Sequence, residues 1–201
     1  GYVSYDAANV GGVGRDNVGA TGSVSVTVVG AGMGVDDYSS GVRVGGSACE
    51  SEEWASESSV VCRIGAGVGG TRRVAVSAGG QWGTLTAGVS YDAAGVSSVV
   101  ADNAASTGGA SLTVSGSNYG SRAYSVGVRV GDTGCEAEEW ASDSSVVCKV
   151  GAGVGGTLVG VVSAGGQWGS CAGAVSYDGA GVTSVVGANV GASGGSNVTV
   201  V

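Results

Sequence analysis

The sequence predicts an all-β protein made of antiparallel β-sandwiches repeated in tandem with a period of 86 residues. Three observations predict it. Cys49-Glu50 recurs at Cys135-Glu136, Cys62 at Cys148, Trp82 at Trp168 and Tyr91-Asp92 at Tyr177-Asp178, always at the same offset and without insertion. About 50 of the 86 aligned positions are identical. The apolar residues alternate over short, β-branched stretches bounded by glycine-rich turns, which is the period of strands and not of helices. Composition agrees, since 43 of the 201 residues are Gly while good helix formers such as Leu, Met and Lys are rare.

Taken along the second unit, the strand candidates are residues 111–115 (Ser-Leu-Thr-Val-Ser), 126–130 (Val-Gly-Val-Arg-Val), 144–150 (Ser-Ser-Val-Val-Cys-Lys-Val) and 158–163 (Leu-Val-Gly-Val-Val-Ser). About seven such strands fit in a unit, with turn signals every ten residues or so, the pattern of a sandwich. The repeat divides the chain into 1–8, which match the last strand of a preceding repeat, two full units at 9–94 and 95–180, and 181–201, which match the first strands of a following repeat. A partial unit cannot bury its own apolar face. The expectation is therefore a segment of a longer array, or a subunit whose ends complete those of its neighbours.

Composition also excludes functions. The chain has no His, hence no Ser-His or Cys-His nucleophile pair and no imidazole metal ligand, so no catalytic residues, no metal site and no cofactor are assigned. A net charge of -8 with a pI near 4.2 opposes nucleic-acid binding. No apolar run approaches the roughly 18 residues that span a bilayer, and residues 1–20 lack a charged start followed by an apolar stretch, so neither a membrane segment nor a signal peptide is expected.

Gly108-Gly109 stand before a first long strand, a turn runs from Gly116 to Gly120 (Gly-Ser-Asn-Tyr-Gly), and a strand end runs from Val44 to Cys49 (Val-Gly-Gly-Ser-Ala-Cys). The second cysteine, Cys62, a glycine-rich turn and a closing Val89-Ser90-Tyr91 strand follow. In this order these motifs resemble the IPT/TIG family of immunoglobulin-like domains found in receptors and secreted proteins. The resemblance covers nearly the whole chain and implies immunoglobulin-like sandwiches in an extracellular protein. The chain departs from the family by carrying Ala94, Ala101, Ala105 and Gly151 where Pro is usual, and Val89 and Val175 where Phe is usual.

Cys49 and Cys62 lie 13 apart, as do Cys135 and Cys148, and a disulfide in each unit is expected because sandwiches so poor in bulky side chains need a covalent staple. Zinc is disfavoured by the absence of His and of Cys-x2-Cys spacing. The disulfides imply an oxidising, extracellular setting. Cys171 aligns with Leu85 and has no partner in the repeat. The acidic run Glu50, Glu52, Glu53, Glu57 returns as Glu136, Glu138, Glu139, Asp143, beside Trp54 and Trp140. It reads as a solvated acidic loop closed by the disulfide, with Ca2+ binding as the sharper alternative and paired-carboxylate glycosidase chemistry as the least supported.

Asp92, Asp102 and Asn103 cluster near the unit boundary, as do Asp6, Asp16 and Asn17, where they serve either turn and cap chemistry or a Ca2+ site. Residues 65–70 (Gly-Ala-Gly-Val-Gly-Gly) and their copy 151–156 satisfy the dinucleotide fingerprint formally, but a strand follows and not a helix, so they read as sandwich turns. Asn197-Val198-Thr199 is a glycosylation sequon, and the many Ser and Thr are candidate carriers of further covalent glycans. The functional expectation is a structural, glycosylated, self-associating extracellular fibre or surface filament. The alternative is a segment of a cell-surface receptor or adhesin that binds a protein or polysaccharide.

Overall fold

The computed structural model describes all residues except 1–3, 39, 101, 102, 188 and 196. Among the described residues every regular element is a strand. The first domain contains β1 (Asn9–Val13), β2 (Asn17–Val18), β3 (Val24–Ala31), β4 (Gly41–Val44), β5 (Ser47–Ala48), β6 (Ser51–Ser56), β7 (Ser59–Ile64), β8 (Arg72–Ala78) and β9 (Gln81–Tyr91). They form two sheets, ordered β1-β3-β7-β6 and β2-β9-β8-β4-β5.

The second domain repeats the plan with β10 (Gly95–Val100), β11 (Asn103–Ala104), β12 (Ser111–Ser117), β13 (Gly127–Val130), β14 (Thr133–Gly134), β15 (Ala137–Ser142), β16 (Ser145–Lys149), β17 (Leu158–Ala164) and β18 (Gln167–Tyr177). Its sheets run β10-β12-β16-β15 and β11-β18-β17-β13-β14. After it, β19 (Val185–Val186) pairs with β20 (Thr199–Val200), Val185 opposite Val200, the same register in which Val99 faces Val114 in the second domain.

Alternation along the strands builds the core. On β3, Val26 and Val28 point inward while Ser25 and Thr27 face solvent, and on β7 the inward set is Val60, Cys62 and Ile64. With Val42, Val44, Val74, Val76 and Val89 from the other sheet they fill the first sandwich, and their counterparts fill the second. Where the first core holds Met33 the second holds Tyr119, both fully buried. Glycine fixes the hairpin between β8 and β9, because Gly79 and Gly80 both have positive φ (55° and 82°), as the tightest two-residue hairpin turn demands.

The sheets are not wholly antiparallel. β2 runs parallel to β9, Asn17 beside Ser90 and Val18 beside Tyr91, and β11 runs parallel to β18. The cause is a switch of sheets: the chain leaves β1 in one sheet and crosses at residues 14–16 to enter the other as β2. The acidic run also differs from the expected loop. Residues 51–56 are strand β6, paired antiparallel with β7, because alternation holds Trp54 inward against the core while Glu53 stays exposed. Residues 4–8, matched in sequence to the end of a closing strand, are irregular here, with the Tyr5 carbonyl accepting from Gln81 Nε2 at 2.9 Å.

Candidate functional site

Each domain carries one disulfide. Cys49 is bonded to Cys62 and Cys135 to Cys148, with Cα atoms 5.7 Å apart in both. Cys49 follows β5 of one sheet and Cys62 lies on β7 of the other, so the bridge staples the two sheets across the core. Cys171 is a free, half-buried thiol on β18, packed at the edge of the second core.

The acidic side chains hold backbone. Glu52 Oε1 accepts the Val42 N–H at 2.9 Å and Glu138 Oε1 accepts the Val128 N–H at 3.2 Å, which ties each acidic strand to the opposite sheet. Glu50 pairs with Arg63 and Glu136 with Lys149, both at 3.2 Å and well exposed, hence worth little. Asp143 Oδ1 accepts from the Gly120 N–H at 2.9 Å. Trp54 and Trp140 pack against the cores.

The boundary carboxylates are engaged separately. Asp92 Oδ1 accepts a hydrogen bond from the Asn17 amide of its own domain, while Asn103 donates to Asp178 Oδ1 at 2.6 Å and accepts from Ser176. Asp92 and Asn103 therefore clasp different domains, each joining a short parallel strand to the end of the closing strand, and Asp102 lies outside the described residues. Among the described residues no three acidic or thiol groups gather as a metal site. Asn197 is exposed in the segment after the second domain.

The most developed site is the junction between the domains, and it is made by the glycine loop that sequence reasoning took for a plain turn. Residues 65–70 project from the first domain toward the second. Their shape is set from behind: the Gly67 N–H donates to the Ala20 carbonyl (3.0 Å), the Tyr91 N–H to the Gly69 carbonyl (3.0 Å), and Tyr91 Oη to the Gly65 carbonyl (3.0 Å). Arg72 donates to the Val68 carbonyl. Val68 at the tip is only 7% exposed because it belongs to the second domain's core.

The receiving surface is built by Gly120, Tyr124 and Gly165. A Cβ on Gly165 would lie 2.5 Å from Val68 Cγ2 and one on Gly120 would lie 2.9 Å from Val68 Cγ1, so both positions must lack a side chain for the valine to seat. Tyr124 Oη donates to the Ala66 carbonyl at 3.4 Å, and Asn118 Nδ2 donates to the linker carbonyl of Ala93 at 3.2 Å. Ala94 of the linker is buried against Gly169, where a Cβ would meet the Ala94 carbonyl at 2.0 Å. Burial, then Tyr124 of the next domain, pushes the Tyr91 hydroxyl above its ordinary pKa. The signal available in sequence was a lone Val inside five glycine and alanine residues, kept in both repeats.

Two disulfide-stapled sandwiches joined by a packed junction define a tandem immunoglobulin-like protein of extracellular type. The chain belongs to the IPT/TIG domain family, whose model matches residues 17–92 and 95–177. Comparison with solved structures finds the surface glycan-binding protein PbSGBP-B from Prevotella bryantii, with a TM-score of 0.53, 13% identity, and coverage of 85% of this chain and 42% of that one. The plexin A4 extracellular region matches with a TM-score of 0.42 and 17% identity, over 85% of this chain and 18% of that one. The I9–I11 tandem of titin matches with a TM-score of 0.34 and 12% identity, over 83% and 65% respectively. The chain thus spans less than half of the plexin and glycan-binding chains. Comparison with curated protein sequences returns no match. No helix among the described residues is long and apolar enough to cross a membrane.

Proposed function

We propose that this chain is a structural segment of an extracellular fibre or surface filament, built from head-to-tail TIG domains and carrying glycans. The observation that carries the reading is the junction: Val68 of one domain enters the core of the next, which holds neighbouring units at one angle instead of leaving them on a free tether. Equal junctions repeated along an array give a constant rise and rotation, hence a rod or helix. The disulfides suit an oxidising, extracellular setting. Exposed Asn197 and the exposed Ser and Thr supply sites for a sugar coat. The reading assigns the chain no catalysis.

Antibodies against the 201-residue chain test it. Regular labelling along filaments of native extracellular material is expected, and labelling confined to cell-surface molecules that form no filament would overturn the reading.

The second reading, a receptor or adhesin segment, is favoured by one observation. Trp82 and Trp168 stand 58% and 68% exposed at equivalent positions, flat apolar faces of the kind that stack on sugars. Its test is binding of oligosaccharides to the chain, followed by tryptophan fluorescence.

A further inference from the structure

The outer face of the five-stranded sheet carries the same pattern in both domains. Residues paired across strands share a face. In the first domain Gly41, Ser77 and Trp82 lie side by side across β4, β8 and β9, and Arg43, Ala75 and Thr84 form the next row. In the second, Gly127, Ser163 and Trp168 form one row and Arg129, Val161 and Ser170 the next. This face points away from the core, which takes Val42, Val74 and Val76 from the same strands. We propose that each such face binds an anionic polysaccharide, a sugar chain carrying carboxylate or sulfate groups, with the Trp stacked on a sugar ring and the Arg paired with a charged group. The proposal deepens the sugar-stacking reading of the two tryptophans and rests on it, and it applies equally to a fibre and to a receptor.

The row beside each indole has no tall side chain. Ser77 Oγ donates to the Gly41 carbonyl and Ser163 Oγ to the Gly127 carbonyl, both at 3.4 Å. A Cβ on Gly41 or Gly127 would stand 2.8 or 3.0 Å from that hydroxyl, so glycine is the residue that fits. Each ring thus stands beside a hydroxyl and bare backbone, with nothing as tall as itself to cover it. Neither exposure comes from a chain end. Trp168 is 68% exposed with a domain before it, and Trp82 is 58% exposed with a domain after it.

Charge selects the ligand. The chain has 16 acidic and 8 basic residues, yet β4, β8, β9, β13, β17 and β18 hold none of the acidic ones and four of the basic ones. Arg43, Arg73 and Arg129 are exposed, and among the described residues the ion pairs lie elsewhere, at Glu50 with Arg63 and Glu136 with Lys149. Arg43 is anchored to the Gly46 carbonyl (3.0 Å) and Arg129 to the Asp132 carbonyl (3.1 Å). A guanidinium so anchored keeps further N–H donors in a planar fork, the shape that recognises a carboxylate or sulfate. From strand spacing and rise, the Arg and Trp of one face have Cα atoms roughly 12 Å apart, within reach of a short oligosaccharide. A protein partner fits less well, because such interfaces bury about 800 Å² per side around an apolar core. Each face here offers a single aromatic ring among mostly small residues. The two faces also differ: Arg73, the second cation on the first, is replaced by Val159 on the second, so the first binds more tightly.

The test is titration of the 201-residue chain with oligogalacturonate and with a sulfated gluco-oligosaccharide, read by tryptophan fluorescence and calorimetry. The unsulfated gluco-oligosaccharide and polyglutamate serve as comparisons. A tighter site lost in Trp82→Ala and a weaker one lost in Trp168→Ala are expected, each variant weakening its site about tenfold or more. Arg43→Gln should weaken the first site, and raising salt from about 0.02 M to about 0.5 M should weaken both. All three positions are exposed, so the thermal transition should stay in place.

No binding of either anionic oligosaccharide at millimolar concentration, binding indifferent to both Trp variants, or polyglutamate bound as tightly as oligogalacturonate would each overturn the proposal. Self-association that the Trp variants abolish would also overturn it, since a second copy would then be what covers the face. Unsulfated oligosaccharide bound through Trp82 and Trp168 as tightly as the anionic ones would refute the charge selection and leave the sugar-stacking reading standing. Binding of no oligosaccharide at all would refute both.

Discussion

Gly79 and Gly165 offer a built-in control for the strength of the junction. They occupy the same hairpin turn, with φ of 55° and 57°, so an alanine at either one carries the same left-handed penalty of about 1–2 kcal/mol. Only Gly165 faces a neighbour, and its added methyl would stand 2.5 Å from Val68 Cγ2 and 2.9 Å from the Gly69 nitrogen. The chain takes the cheaper of two responses: it overpacks, at about 1–3 kcal/mol, or it opens the junction and gives up the burial of Val68, worth about 1.5–2 kcal/mol. Gly165→Ala should therefore exceed Gly79→Ala by about 1–2 kcal/mol. At roughly 4–8 °C per kcal/mol for a domain of this size, that difference is roughly 4–16 °C in the melting of the altered domain. Scanning calorimetry of the two variants reads it directly. Small-angle scattering should also show Gly165→Ala as more extended and less defined in interdomain angle. Equal shifts in calorimetry would mean that Val68 is not seated as described.

Other perturbations separate the remaining features. Cys62→Ala or Cys148→Ala, measured by urea denaturation, should cost its own domain about 3 kcal/mol, as expected for a closed loop of this length. Glu52→Ala leaves the Val42 amide without its carboxylate acceptor and should destabilise the first domain by about 1–3 kcal/mol, with Glu52→Gln recovering much of the loss. Burial holds the Tyr119 hydroxyl with its pKa pushed up to about 12, against about 10 in an unfolded chain. The folded state thus keeps a proton that the unfolded state releases, and this contribution is complete below pH 10 and lost as pH rises through 10 toward 12. Thermal melts at pH 7 and pH 11 should show a loss in the second domain that Tyr119→Phe removes. The same variant should not cost stability at neutral pH, because the hydroxyl has no hydrogen-bond partner among the described residues and Met33 fills the equivalent place.

Local rules made much of the molecule legible in the sequence. The 86-residue period required only identity between copies, and the strands required only alternation, which is why Val26, Val28, Val60 and Ile64 could be placed on strands before any fold was known. Cysteines 13 apart at strand ends need a single pairing within each unit. Other features depended on which surfaces meet. Glu52 and Glu138 belong to a charge run that reads as solvated, and only the stacking of two sheets brings their carboxylates to the Val42 and Val128 amides. Asp92 sits near Asn103 along the chain, yet its partner is Asn17, 75 residues earlier, because β2 lies beside the end of β9.

Val68 and Val154 state the limit most plainly. They occupy loops of identical sequence that share three bracing hydrogen bonds, with Arg72 an added brace behind the first alone, and one is buried while the other faces solvent. The sequence by itself determined the loop; the tertiary structure decided its role, because burial is a property of the surface brought against a side chain and not of the residues beside it.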